Sequence, residues 1–106
     1  MQSLVVNIEN TNTQFREQAT FRRSPVRLGR NQLNDLVVNE SFVSQWHAII
    51  RFNDQHVVFV DLGSTNGTNV NGQRLPKNVE VGVLPESDIR IGPVRLSFSR
   101  AEEPRP

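Results

Sequence analysis

The apolar residues of this chain come in short bursts that alternate with polar ones, and that period of about two constrains the fold more than any other feature. The bursts are "SLVVNIE" (3–9), "QATFRR" (18–23), "VRLG" (26–29), "LVV" (36–38), "HAIIRF" (47–52), "HVVFVD" (56–61), "VEV" (79–81), "DIRIG" (88–92) and "VRLSFS" (94–99). Valine, isoleucine and phenylalanine dominate them, and turn residues bound each one. Alternation places successive side chains on opposite faces of an extended chain, so each burst reads as a strand with one buried face. No long stretch keeps a 3.6 period, and helix-forming alanine is nearly absent. Many short strands with closely spaced turns read as an all-β antiparallel sandwich or barrel. Two turns are specific. Asn71-Gly72 in "VNGQ" (70–73) is the pair that closes a tight hairpin, and "NDQ" (53–55) reverses the chain between its neighbouring bursts.

The 106 residues fit one domain, expected over residues 1–100. The tail "AEEPRP" (101–106) is charged and proline-rich, which reads as a disordered end or a linker. Met1 reads as a natural start, so the tail suggests a piece of a longer protein. Without cysteine there is no disulfide framework and no thiolate metal site, which fits a reducing, cytoplasmic setting. No H-E-x-x-H or His/carboxylate cluster suggests zinc, and no metal or cofactor is expected. The formal net charge of +1 gives no strong pull toward nucleic acid or an anionic membrane. No basic residue precedes the first apolar run, which Asn7 and Glu9 interrupt, so it is not read as a signal peptide. No apolar run is long enough to span a bilayer. Lys77 is the only lysine; the other cations are arginines, whose planar fork suits oxyanions.

Four polar features need a reason: "LGRNQLND" (28–35), "ESFVSQWH" (40–47), "GSTNGT" (63–68) and the hairpin at 71–72. Catalysis is a poor one. Ser44 and His47 are three apart, which on an extended chain points them to opposite faces. No GxSxG elbow surrounds Ser44, and His56 reads as an exposed residue at a strand start. Anion binding is a better one. A phosphate wants a guanidinium, hydroxyl donors and N–H groups aimed at one point. Bursts 47–52 and 56–61 form an up-and-down pair, so Ser44 before the first and Thr65 after the second lie at the same end. Spacing leaves Arg30 undecided, because a strand at 36–38 would carry it to the other end.

The ordered set Gly29-Arg30, Asn34-Asp35, "SQWH" (44–47), "GSTNGT" (63–68) and "VNG" (70–72) resembles a forkhead-associated (FHA) domain. The motif core covers residues 28–72, and the flanking strands fit through about Ser99. The resemblance implies an eleven-strand β-sandwich whose loops, at one end, bind a phosphothreonine in a partner protein. It also implies that the three loops meet. By resemblance, Arg30 contacts the phosphate, Ser44 gives it a hydroxyl, Thr65 lines the phosphothreonine site and Asn66 bonds the peptide main chain. Gln45 follows the serine and can bond the peptide without adding charge. Gly29, Gly67, Asn71 and Gly72 read as structural, and His47 as a brace of the loops. Asn34 and Asp35 should order the loop after Arg30 through side-chain to backbone bonds.

Two departures bear on specificity. Many relatives carry arginine, lysine or asparagine where Gln45 stands. Phe42, two residues before the serine, occupies a position where some relatives use a basic residue, and it would suit an apolar or neutral peptide side chain over an acidic one. Trp46 is expected to pack on the scaffold, with a wall for the peptide as the other option. The expected partner is a phosphothreonine protein, a substrate of a Ser/Thr kinase or the kinase itself, with no nucleic acid and no membrane insertion. A phosphate-independent scaffold using Trp46 and Phe42 is the alternative. A single-strand-binding barrel would need a basic groove with stacking aromatics, which this composition lacks.

Overall fold

The computed structural model describes residues 2–102. Every regular element in it is a strand: β1 (Gln2–Asn10), β2 (Phe15–Phe21), β3 (Val26–Gly29), β4 (Leu36–Val37), β5 (Ala48–Phe52), β6 (Val57–Asp61), β7 (Asn69–Val70), β8 (Gln73–Arg74), β9 (Val81–Val83), β10 (Ile89–Ile91) and β11 (Val94–Glu102). They form two sheets, ordered β2-β1-β11-β10-β7-β8 and β4-β3-β5-β6-β9. This is a sandwich, not a barrel. The alternation works as the sequence implies. On β5, Ala48 and Ile50 are fully buried while Arg51 is exposed, and on β11 Val94, Leu96 and Phe98 point inward while Arg95 faces out. Leu4, Val6, Leu28, Phe59, Ile89 and Ile91 complete the centre of the core.

The turns carry the chemistry expected of them. Asn71 and Gly72 have φ of 52° and 84°, the signs of a type I′ turn, and Val70 pairs with Gln73 across it. Asn71 also clamps β10: its N–H donates to the Asp88 carbonyl and its Oδ1 accepts from the Asp88 N–H, both at 2.9 Å. Asn53 Oδ1 accepts from Gln55 and His56 N–H, which closes the β5–β6 reversal.

Some elements differ from the expectation. Strand β9 begins at Val81, because Phe59 and Val57 pair with Val81 and Val83; Val79 stays out of the ladder and exposed. Strand β11 runs on to Glu102, where Ala101 and Glu102 pair with Ser3 and Gln2, so the expected tail does not begin at residue 101. Residues 103–106 lie outside the described residues. The sandwich is not purely antiparallel either, since β4 pairs with β3 in parallel (Leu28 with Leu36, Gly29 with Val37). Parallel neighbours usually need a long crossover. Here residues 30–35 turn back beside β3 at once, and the ladder is only two residues long.

That short ladder decides where the loops go. β4 is an edge strand outside β3, and β3 itself pairs antiparallel with β5, Leu28 opposite Ala48. The end of β3 therefore lies beside the start of β5. The loops after β3, before β5 and after β6 leave from one end of the sandwich.

Candidate functional site

The three loops are stitched together by main-chain bonds. Arg30 N–H donates to the Ser44 carbonyl at 2.9 Å, Asn31 N–H to Gln45 at 3.2 Å and Leu62 N–H to His47 at 2.9 Å. Gly29 is required by this approach: a Cβ there would collide with the Gln45 carbonyl oxygen and lie 2.7 Å from Asn34 Nδ2. Asn34 bridges the same gap, donating from Nδ2 to Asn31 and Gln45 carbonyls at 2.9 and 2.8 Å. Asp35 Oδ2 accepts from Arg27 N–H at 2.8 Å. The ordering roles expected of Asn34 and Asp35 are thus present.

A buried polar chain supports the loops from below. Ser44 N–H donates to His47 Nδ1 at 3.0 Å, so the ring proton sits on Nε2, which faces Thr68 Oγ1 at 3.0 Å. Thr68 in turn donates its hydroxyl to Asp61 Oδ2 at 2.7 Å. Asp61 also accepts from Gly63 and Ser64 N–H on Oδ1 and from the Ser64 hydroxyl on Oδ2. Ser64 Oγ then accepts from Gly67 N–H. Burial holds the His47 pKa below its ordinary value, although the Asp61 charge opposes the shift. The 3.7 Å approach of His47 to Asp61 is therefore not an ion pair at neutral pH. For Asp61, burial would raise the pKa, but bonds from Ser64 and Thr68, with His47 nearby, outweigh it and hold the carboxylate low.

Above this support lies an open recess of about 620 Å³ lined by Arg30, Ser44, Gln45, Thr65 and Asn66 together with Trp46 and loop backbone. Arg30 is exposed, and its Nε donates to the Val43 carbonyl at 3.1 Å. That bond orients the guanidinium, and its two terminal nitrogens take no partner among the described residues. Ser44 Oγ accepts from Thr65 N–H at 3.0 Å, which leaves the hydroxyl proton to be donated elsewhere. The N–H groups of Gly63, Ser64, Thr65 and Gly67 are all occupied within the loops. No carboxylate lines the recess.

Asn66 has a second task. Its Nδ2 donates to the Phe42 carbonyl at 3.0 Å, tying the two loops, and its Oδ1 remains available as an acceptor. Gly67, at φ 78°, has the Arg74 guanidinium against it, 2.7 Å from where a Cβ would stand. Trp46 is 45% exposed and lines the recess, so it does not pack on the scaffold as expected. Phe42 is equally exposed but lies against Gly92 outside the recess lining. Asp61 and Thr68 were not singled out from the sequence. The signal for Asp61 was present: an Asx residue two and three positions before Gly63 and Ser64 caps their N–H groups.

The two sheets and their loops define a β-sandwich with a donor-rich recess at one end that no carboxylate lines. The chain belongs to the FHA domain family, whose model matches residues 26–92. Members of this family are generally phosphothreonine-binding interaction modules, not enzymes. The chain is 40% identical over 70 residues to the oxoglutarate dehydrogenase inhibitor of Corynebacterium glutamicum, covering 66% of this chain and 47% of that protein. It spans about half the length of the curated relatives it matches. Among solved structures it resembles the FhaA FHA domain complexed with the intracellular domain of Rv3910, with 26% identity, a TM-score of 0.74, and coverage of 92% of this chain and 100% of that one. The FHA domain of an Arabidopsis thaliana hypothetical protein shares the fold at 22% identity and a TM-score of 0.80, covering 100% of this chain and 92% of that one. No helix among the described residues is long and apolar enough to cross a membrane.

Proposed function

We propose that this chain docks partner proteins by binding a phosphothreonine in the recess between residues 30, 44 and 65. The observation that carries the reading is the convergence of an outward guanidinium and a donor-ready hydroxyl on one acid-free hollow. A phosphothreonine brings a charge of about −1.5 to −2 and three acceptor oxygens. Arg30 supplies two N–H donors in a fork that matches two of those oxygens. Ser44 donates its free proton to the phosphate. Thr65 lines the threonine side chain, and Asn66 accepts a peptide N–H on Oδ1. Gln45 bonds the peptide backbone as well. Gly29, His47, Gly67, Asn71 and Gly72 hold these groups in place without touching the ligand.

In a cell the partner would be a phosphorylated substrate of a Ser/Thr kinase, or the kinase, met in the cytoplasm. Inhibition of an oxoglutarate dehydrogenase, which the name of the corynebacterial relatives gives for them, is one such regulatory use. A phosphate-independent scaffold is the second reading, favoured by the exposed indole of Trp46. Fluorescence anisotropy with matched threonine, phosphothreonine and phosphoserine peptides separates the two. Binding of the phosphothreonine peptide alone supports the proposal, and equal affinity for the threonine and phosphothreonine peptides sinks it.

A further inference from the structure

Most arginines of the described chain already have a partner. Arg16, Arg51, Arg90 and Arg95 meet Glu9, Glu80, Asp88 and Asp88 respectively, and Arg100 reaches the His56 carbonyl and the Phe52 ring. Arg74 does not: it is exposed, and its side chain, like those of Arg23 and Arg27, makes no hydrogen bond or ion pair with any described residue. Yet it is held in a defined place. Its backbone pairs with Asn69 across the Asn71-Gly72 hairpin, and the next residue, Leu75, donates to the Thr68 carbonyl at 2.8 Å. Its guanidinium lies against Gly67, with Cζ, Nε and one terminal nitrogen 2.7 to 2.8 Å from where a Cβ would stand. Lys77 approaches the other end of the same loop, its Cδ 3.9 Å from where a Gly63 Cβ would be. The 63–68 loop therefore shares the recess with Arg30 and has two further cations close to its glycines.

We propose that Arg74 reads an aspartate or glutamate flanking the phosphothreonine, on the side of the peptide that Asn66 holds. This rests on the proposed phosphothreonine reading. A guanidinium with five donors and no acid among its neighbours is an open anion site. Arg74 lies outside the recess lining, but the hairpin fixes it against Gly67, one residue along the chain from Asn66, where a flanking side chain of an extended peptide would arrive. Lys77 adds to the local positive potential without the planar fork.

The test measures anisotropy of phosphothreonine peptides in which each flanking position in turn is aspartate or alanine. The wild-type chain should show one flank position where aspartate tightens binding by about threefold to fivefold, the size of one rim ion pair. In Arg74→Ala that ratio should fall to about one, in Arg74→Lys it should survive in part, and in Arg74→Glu a lysine-flanked peptide should become the tighter binder. Thermal melts of each variant report whether the hairpin has folded. No acidic preference at any position, or a ratio unchanged in Arg74→Ala, overturns the inference while leaving phosphothreonine binding intact. A uniform loss across all peptides with the ratio kept overturns it too, since that marks only long-range charge. Failure of the wild-type chain to tell phosphothreonine from threonine removes both readings.

Discussion

The backbone nitrogen of Ser44 donates to the buried ring of His47, and the hydroxyl of the same Ser44 accepts from Thr65. One residue is thus pinned from below and from the side, with its hydroxyl proton given to no described residue. Preorganisation of this kind limits the ordering that binding would otherwise require.

Arg30→Ala should lower affinity for a phosphothreonine peptide by about 100-fold, the loss of two charge-assisted hydrogen bonds. The fold loses only the bond to the Val43 carbonyl, so the melting temperature should move by a few degrees at most. Anisotropy and a thermal melt on the same sample check both. A melt that holds while affinity stays within tenfold would remove Arg30 from the phosphate.

Ser44→Ala and Thr65→Ala should separate binding from support. Ser44→Ala removes the donor to the phosphate and also the acceptor for Thr65 N–H, so it should weaken binding by about tenfold or more and stability by about 1 kcal/mol. Thr65→Ala keeps that N–H and changes only an exposed side chain, so urea unfolding should find it near wild type while peptide binding weakens.

Stability should fall as pH drops below neutral. The folded chain keeps His47 neutral below its ordinary pKa of 6.5, whereas the unfolded chain protonates it there. The unfolded state then binds more protons, and stability falls by up to about 1.4 kcal/mol per pH unit until the folded pKa is reached. Asp61 acts in the same direction lower down. Its contribution is full above 3.8 and is lost as pH falls through its lowered folded value. Urea titrations at several pH values from 7.5 downward measure the slope; a flat profile between pH 6.5 and 5 would contradict the neutral buried ring.

Two glycines should fail for different reasons. Gly72→Ala meets no atom within 4 Å and pays only for φ of 84°, about 1 kcal/mol. Gly29→Ala drives a methyl into the Gln45 carbonyl, so it should cost about 3 kcal/mol or prevent folding, and it should displace Ser44 and Arg30 as it does so. Denaturant midpoints rank the two.

Trp46 offers a direct reporter, being the only tryptophan. Its exposed indole should be readily quenched by acrylamide in the free protein and shielded when a phosphothreonine peptide fills the recess. Unchanged quenching on saturation would place the peptide elsewhere.

Much of this molecule was legible in the chain because the physics involved is local. Alternation of apolar residues determined which segments are strands and which face of each is buried. Asn71-Gly72 determined a hairpin, and the motif spacing marked residues 30, 44, 65 and 66 as the ones to watch. What the sequence by itself left open was the order of strands within a sheet. Spacing could not place Arg30, because strand β4 lies outside β3 in parallel, and that position is chosen by how two apolar faces close over one core. The same holds for Trp46, turned to solvent, and for Asp61 and Thr68, which join His47 across 14 and 21 residues of chain. Contacts between distant segments have no periodic trace in the sequence, so only the packed sandwich decides them.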